Sequence, residues 1–145
     1  MSDSSTATIS IDAPIAAVSK LLFALDMYPQ WSTSIKAVEV LASDDQNRIT
    51  KAKMSIEPGM MKDRVILDYD WSKAPAILSF SLDDADLLTA MDGFYELKSI
   101  DDDTTSVTYS LTVDLSMPIP AMMRQKAEKA TIDQALAQLK SALED

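Results

Sequence analysis

The chain has 145 residues, 47% of them hydrophobic, which suits one compact domain with a sizeable core. It contains no cysteine and no histidine, which excludes disulfides, zinc sites built from these ligands, histidine bases and cysteine nucleophiles. Thirteen basic residues against 23 acidic ones give a net charge of -10, which disfavours nucleic acid and anionic membranes as partners.

The amino-terminal segment MSDSSTATISIDAP has neither the basic nor the apolar region of a signal peptide. Nowhere do eighteen apolar residues follow one another, so no integral membrane segment is predicted. We therefore expect a cytoplasmic protein.

The first elements are a strand and a helical region. Residues 6–11 read as a strand, and Asp12 then stands as a helix N-cap before Pro14. Apolar residues at helical spacing follow, until MYPQW interrupts the helix at Pro29, so two short helices are expected before the next strand. Residues 35–41 and the turn SDDQN then predict a strand and a hairpin.

The later strands alternate between apolar and polar residues. Because successive side chains of a strand point to opposite sides, the apolar set must share a buried face. That inner set contains Val65, Leu67, Tyr69, Trp71, Leu78, Phe80, Leu82, Tyr95, Leu97, Val107, Tyr109, Leu111, Val113 and Leu115. Acid-rich turns separate the strands at hairpin distances, which predicts an antiparallel sheet with one solvated face.

A one-sided sheet needs a cover, and residues 120–143 are the only predicted helix long enough to supply it. The sequence thus predicts an α+β domain over residues 1–145, with a seven-stranded antiparallel sheet curled around a long C-terminal helix. Gly93, in MDGFY, is expected to mark a bulge or bend in that sheet.

This order of elements resembles the helix-grip fold of the START-like, Bet v 1-like superfamily. The stretches ISIDAPIAAVSKLLFALDMYPQW, WSTSIKAVEVL and MKDRVILDYDW, together with the C-terminal residues 91–140, are most similar to the bacterial polyketide cyclase/dehydrase-like and coenzyme-Q-binding-like subgroup. The resemblance implies a cavity for an apolar ligand between sheet and helix. It identifies a fold better than an activity, because the superfamily includes carriers, receptors, cyclases and co-chaperones.

The closing helix changes character near residue 130. Ile132, Leu136 and Leu139 lie on an apolar stripe, and its extension towards the N-terminus meets Glu128 and Gln125. Two interpretations are open: these two side chains meet solvent beyond the edge of the sheet, or they face a hydrated ligand chamber. In a chamber, leucine in place of Glu128 is expected to leave the fold intact or stabilise it.

The expected ligand-binding residues are Met54, Tyr69, Trp71, Phe80, Tyr95, Tyr109, Leu111, Met122, Gln125 and Glu128. Pro58, Gly59, Met60 and Met61 are expected to form a gate loop, as the resemblance implies, although the methionines would equally suit packing onto a neighbouring helix.

No acid/base pair, metal site or cofactor is predicted, since the inner face offers mainly tyrosine hydroxyls and strand parity sends Lys51, Lys53 and Arg64 outwards. The favoured function is binding, transport or sensing of a lipid-like, quinone-like or polycyclic molecule by a monomer or homodimer. An aromatase/cyclase-like enzyme and a toxin-like or co-chaperone-like protein-binding module remain as alternatives.

Overall fold

The structure, a computed structural model, describes residues 5–57, 62–115 and 119–144. Within these residues the chain forms seven strands, two α-helices and one 3-10 helix. In chain order they are β1 (Ser5–Ile11), α1 (Ile15–Leu22), the 3-10 helix (Leu25–Gln30), β2 (Ile35–Ser43), β3 (Ile49–Ile56), β4 (Asp63–Asp70), β5 (Ile77–Ala85), β6 (Leu88–Asp101), β7 (Thr104–Leu115) and α2 (Ala121–Glu144). The predicted order of elements is confirmed.

The seven strands form one antiparallel sheet in the order β1-β7-β6-β5-β4-β3-β2. Each strand from β2 to β7 pairs with its neighbour in sequence, while β1 lies against β7 at the far edge. This topology brings the start of the chain beside the last strand, and α2 packs against both β1 and β7. The helix-grip fold expected from the sequence is therefore present.

Strand parity correctly gives the inner face of the sheet. In β4 the side chains of Val65, Leu67 and Tyr69 are buried while Asp70 is exposed. On the opposite face Lys51 forms ion pairs with acidic side chains of β4 and β5, as expected for a solvated surface. The alternation thus separates a core from a charged exterior.

The second half of α2 closes the core over this inner face. Ile132, Leu136 and Leu139 are each no more than 1% exposed, and Ala135 and Leu143 pack beside them. Burial of each large aliphatic side chain contributes about 1.5–3 kcal/mol, so this stripe anchors the helix to the sheet.

The region of the first helix differs from the prediction in two respects. Pro14, not Asp12, occupies the N-cap of α1, and no side chain caps this end. Helix α1 ends at Leu22, and Pro29 lies inside the following 3-10 helix instead of terminating a longer α-helix. The interior of an α-helix disfavours proline because the ring clashes with the carbonyl four residues earlier, which agrees with the change to 3-10 geometry here.

The turn between β5 and β6 is held by a buried carboxylate. Asp63 accepts hydrogen bonds from the backbone N–H groups of Asp86, Leu87 and Leu88 at 3.0–3.3 Å. The carboxylate thus satisfies backbone donors of the turn, and the Asp86 N–H also lies 3.3 Å from the Arg64 carbonyl oxygen. Asp63 is thus a structural residue next to the inner face.

Gly93 does not mark a bulge in the β6–β7 ladder, which continues through it without a register shift, but the pairing of β6 with β5 ends at this residue. It stands opposite Phe80 and Leu111 on the inner face. A Cβ atom there would overlap the backbone oxygen of Ser110 and lie 2.8 Å from Phe80 Cζ. This close approach requires glycine at position 93.

Candidate functional site

Between the inner face of the sheet and α2, the described residues enclose two neighbouring cavities. The larger, here called the helix cavity, has a volume of about 150 Å³, and the smaller, the tyrosine cavity, about 70 Å³. Ile56, Met91 and Thr131 line both, so the two spaces adjoin. They form the candidate ligand chamber.

The tyrosine cavity contains four of the five inner-face aromatic residues that strand parity predicts, all except Trp71. Its lining includes Tyr28, Trp31, Met54, Leu67, Tyr69, Phe80, Tyr95 and Tyr109. The rings of Tyr95 and Tyr109 stack with their centroids 4.1 Å apart. The Phe80 ring centroid lies 6.4 Å from that of Tyr109 and 5.8 Å from that of Tyr69. Rings in mutual contact give a wall that suits flat apolar groups.

The tyrosine hydroxyls of this cavity remain protonated at neutral pH. Burial raises the pKa of Tyr109 to about 12, and burial likewise raises the pKa values of Tyr28, Tyr69 and Tyr95 well above the ordinary value. The Tyr28 hydroxyl already donates to the Leu22 carbonyl at 2.6 Å. These groups therefore act as neutral hydrogen-bonding groups and not as bases.

The helix cavity has a mostly apolar lining with one charged cluster in its wall. The apolar residues include Ile56, Leu88, Met91, Leu111, Val113, Leu115, Ile119 and Ala127. Arg124, Glu128 and Asp114 supply the charge. Arg124 Nη1 lies 3.3 Å from Glu128 Oε2, and Arg124 Nε lies 3.6 Å from Asp114 Oδ1.

The Glu128 side chain is 1% exposed, and its carboxylate accepts hydrogen bonds from three donors. Ser5 Oγ donates to Oε1 at 2.7 Å, while the Val113 N–H and Arg124 Nη1 donate to Oε2 at 2.7 and 3.3 Å. The carboxylate thus joins β1, β7 and α2 at the wall of the helix cavity. The solvent-facing interpretation of Glu128 is wrong.

Helix geometry explains which side chain accompanies Glu128 inwards. Positions 124, 128, 132 and 136 lie four residues apart on one side of α2, and all four side chains are buried. Gln125 is exposed, so extending the stripe to it was wrong. Counting back from Ile132 in steps of four residues reaches Glu128 and then Arg124, so this spacing is the signal by which Arg124 can be found in the sequence.

The predicted ligand-binding residues divide between the two cavities and the outside. Met54, Tyr69, Phe80, Tyr95 and Tyr109 line the tyrosine cavity, and Leu111 and Glu128 line the helix cavity. Trp71, Met122 and Gln125 line neither, and Met122 is 80% exposed. The predicted gate loop Pro58, Gly59, Met60 and Met61 lies outside the described residues.

Trp71 belongs to a different environment although parity places it on the inner side. Its Nε1 donates to the Ile49 carbonyl at 2.7 Å, and the Arg48 guanidinium lies 5.7 Å from its ring centroid. Because Trp71 follows the last residue of β4, it covers the rim of the sheet and lines a shallow hollow there. The indole N–H of Trp71 therefore has a structural role.

Trp31 lines the tyrosine cavity and was not among the predicted site residues. Among the described side chains, its Nε1 is a buried polar atom without a hydrogen-bond partner. Its ring meets that of Tyr28 edge-on, with centroids 5.1 Å apart. The residue follows the 3-10 helix, where strand parity gives no signal.

The curled sheet, the covering helix and the enclosed apolar chamber define a START-like helix-grip protein. A START superfamily protein from Mycobacterium smegmatis superposes with a TM-score of 0.93 at 20% identity, over 97% of each chain. A protein from Thermus thermophilus gives 0.82 at 18% identity over 97% of each chain. The Zhui aromatase/cyclase from a Streptomyces species gives 0.73 at 12% identity, over 97% of this chain and 90% of the other. At these identities the likeness shows the fold.

The sequence model described as "Polyketide cyclase / dehydrase and lipid transport" matches residues 11–140, and the chain belongs to this family. None of the curated proteins matches the chain in sequence. No helix within the described residues is long and apolar enough to cross a membrane.

Proposed function

We propose that this protein binds a small hydrophobic molecule in the chamber between sheet and α2, for transport or sensing. The observation that carries the proposal is the pair of adjoining cavities on the inner face, lined by aliphatic and aromatic side chains with a few polar groups. Such linings are typical of sites for apolar ligands, in which the polar groups fix orientation.

The chamber sets a scale for the ligand. A cavity of about 150 Å³ in a protein core accommodates a benzene-sized ring, whereas drug-sized ligands occupy about 300–1,000 Å³. One ring or a short chain fits the helix cavity as it stands. A lipid-like, quinone-like or polycyclic ligand requires the chamber to widen, and the adjoining tyrosine cavity is the direction in which the enclosed space continues.

Mass spectrometry of an organic extract tests the proposal, on protein purified without detergent. We expect a hydrophobic species at near-stoichiometric amount. Met91 lines both cavities, so Met91→Trp fills the chamber and is expected to lower the retained amount, whereas Met122→Trp at an exposed position serves as the control. Equal retention by all three proteins, or no retained species together with no binding to a lipid and polyphenol panel, would contradict the proposal.

An aromatase/cyclase-like enzyme is the second candidate, and the charged cluster favours it. An ion pair of Arg124 and Glu128 in the wall of the helix cavity supplies polar groups beside an apolar space where a reactive chain is held. In an aldol ring closure, a carbon gives up its proton and bonds to a carbonyl carbon, and the carbonyl oxygen gains a proton. Incubation with a linear poly-β-ketone tests this: faster ring formation with the parent than with Glu128→Gln supports the enzyme, and equal rates oppose it.

A further inference from the structure

The charged cluster of the helix cavity contains a guanidinium that is buried beside apolar side chains. Arg124 is 8% exposed and lines the cavity together with aliphatic residues of β6, β7 and α2. Arginine is almost never buried to this extent unless it is paired, because a charge removed from water loses its hydration. The hydrogen-bonding partners of Arg124 therefore determine how many of its N–H donors remain for a ligand in the cavity.

The pairing of Arg124 leaves hydrogen-bonding capacity. A guanidinium carries five N–H donors. Within the described part of the chain, Nη1 donates to Glu128 at 3.3 Å, and the 3.6 Å between Nε and Asp114 Oδ1 exceeds a hydrogen-bond distance. Charge-assisted hydrogen bonds are usually about 2.7–2.9 Å long, so neither contact is tight. A third partner with an acceptor oxygen is compatible with this arrangement.

The net charge of the cluster determines which kind of acceptor group on a ligand is favoured. One guanidinium stands against two carboxylates, of which Glu128 is fully buried and Asp114 is 42% exposed. An anionic head group would meet this net negative charge in a poorly solvated place, where like charges repel strongly. A neutral carbonyl oxygen accepts a hydrogen bond without that repulsion.

We infer that Arg124 is a specificity-determining residue that donates a hydrogen bond to a neutral carbonyl oxygen of a ligand whose apolar part fills the helix cavity. The inference rests on the proposed function, because it requires that the cavity binds a ligand. It adds the chemical class of the ligand: the helix cavity prefers ketones, quinones and esters over hydrocarbons of the same shape and over carboxylates.

The test uses three ring-sized probes that differ at one group: ethylbenzene, acetophenone and benzoate. Dissociation constants are measured by NMR titration, with the Met91 methyl signal reporting on the cavity. The variants are Arg124→Met and the double variant Arg124→Met/Glu128→Gln, in which the glutamine oxygen still accepts from the Val113 N–H and the amide NH2 can donate to the Ser5 hydroxyl, so that the fold is protected. Lys126→Met removes an exposed cation from the same helix as the matched control.

We expect acetophenone to bind the parent more tightly than benzoate. In both Arg124 variants the acetophenone dissociation constant should rise about tenfold or more, since hydrogen bonds from charged groups have that strength. Ethylbenzene should change less than about threefold, and Lys126→Met should behave as the parent.

Equal changes for ethylbenzene and acetophenone, or a parent that prefers benzoate, would overturn the role of Arg124 while leaving ligand binding intact. Failure of ethylbenzene and acetophenone to bind the parent at all would instead count against the proposed function, and the inference would fall with it.

Discussion

Replacing Glu128 with leucine should destabilise the fold. From the sequence, this substitution is expected to be neutral or stabilising if Glu128 faces a ligand chamber, but three hydrogen bonds reverse that expectation. Leucine leaves the Val113 N–H and the Ser5 hydroxyl without their acceptor and leaves the buried Arg124 without its nearest countercharge. Removing one partner of a buried ion pair costs about 3–5 kcal/mol.

The cost converts into a shift that a thermal melt resolves. For a domain of about 150 residues, 1 kcal/mol corresponds to roughly 2–4 °C, so Glu128→Leu should lower the melting temperature by about 6–20 °C. Circular dichroism at neutral pH measures it. Glu128→Gln keeps one acceptor oxygen and should lose less, and Gln125→Leu, one position from Arg124 but exposed, should stay within about 0.5 kcal/mol of the parent. A Glu128→Leu protein that melts at or above the parent temperature would refute the reasoning.

Three further outcomes are expected. Gly93→Ala should cost about 1–3 kcal/mol or more in urea unfolding, because its Cβ would overlap the backbone oxygen of Ser110, and an unchanged midpoint would show that the strands separate freely there. Trp71→Phe should cost about 1 kcal/mol in thermal unfolding, because the Ile49 carbonyl loses its donor, while Trp31→Phe should cost less; the reverse ranking would contradict the assigned hydrogen bonds. Stability should fall as the pH rises from about 10 towards 12, since the pKa of Tyr109 is about 12 in the folded protein and about 10 when unfolded, so the unfolded chain loses its proton first. Urea unfolding between about pH 8 and 11 measures this, and Tyr109→Phe should reduce the slope.

The inner face of the sheet could be read from the sequence because its signal is local and periodic. Val65, Leu67 and Tyr69 share one parity and Arg64, Asp68 and Asp70 the other, with Ile66 as the single apolar exception, and an alternation of period two has one consistent burial pattern. The apolar stripe of α2 from Ile132 onwards is predictable for the same reason at period 3.6. Both predictions depend on residues whose side chains prefer one environment.

The first half of α2 could not be read in this way, because charged residues are compatible with either environment. Whether Glu128 meets solvent depends on donors 15 and 123 residues away, Val113 and Ser5, which no local pattern reveals. Trp71 shows the complementary limit: parity gave the side of the sheet correctly, but its position beyond the end of β4 places it at the rim. Long-range hydrogen-bond partners and the exact ends of strands can be identified only from the tertiary structure.

The polar groups of the chamber favour recognition by shape and a few neutral hydrogen bonds. Burial raises the pKa values of the tyrosine hydroxyls and keeps them protonated, so they do not act as bases near neutral pH. Glu128 has its oxygens engaged by three donors that also hold the fold, so a mechanism that protonates this carboxylate weakens the structure around it. The guanidinium of Arg124, which lines the helix cavity, cannot give up its proton in a protein and so acts only as a donor. If ligand binding and the proposed role of Arg124 hold, we expect such a chamber to orient an apolar molecule through a carbonyl oxygen more readily than to transfer protons, which favours the proposed carrier or sensor over the cyclase.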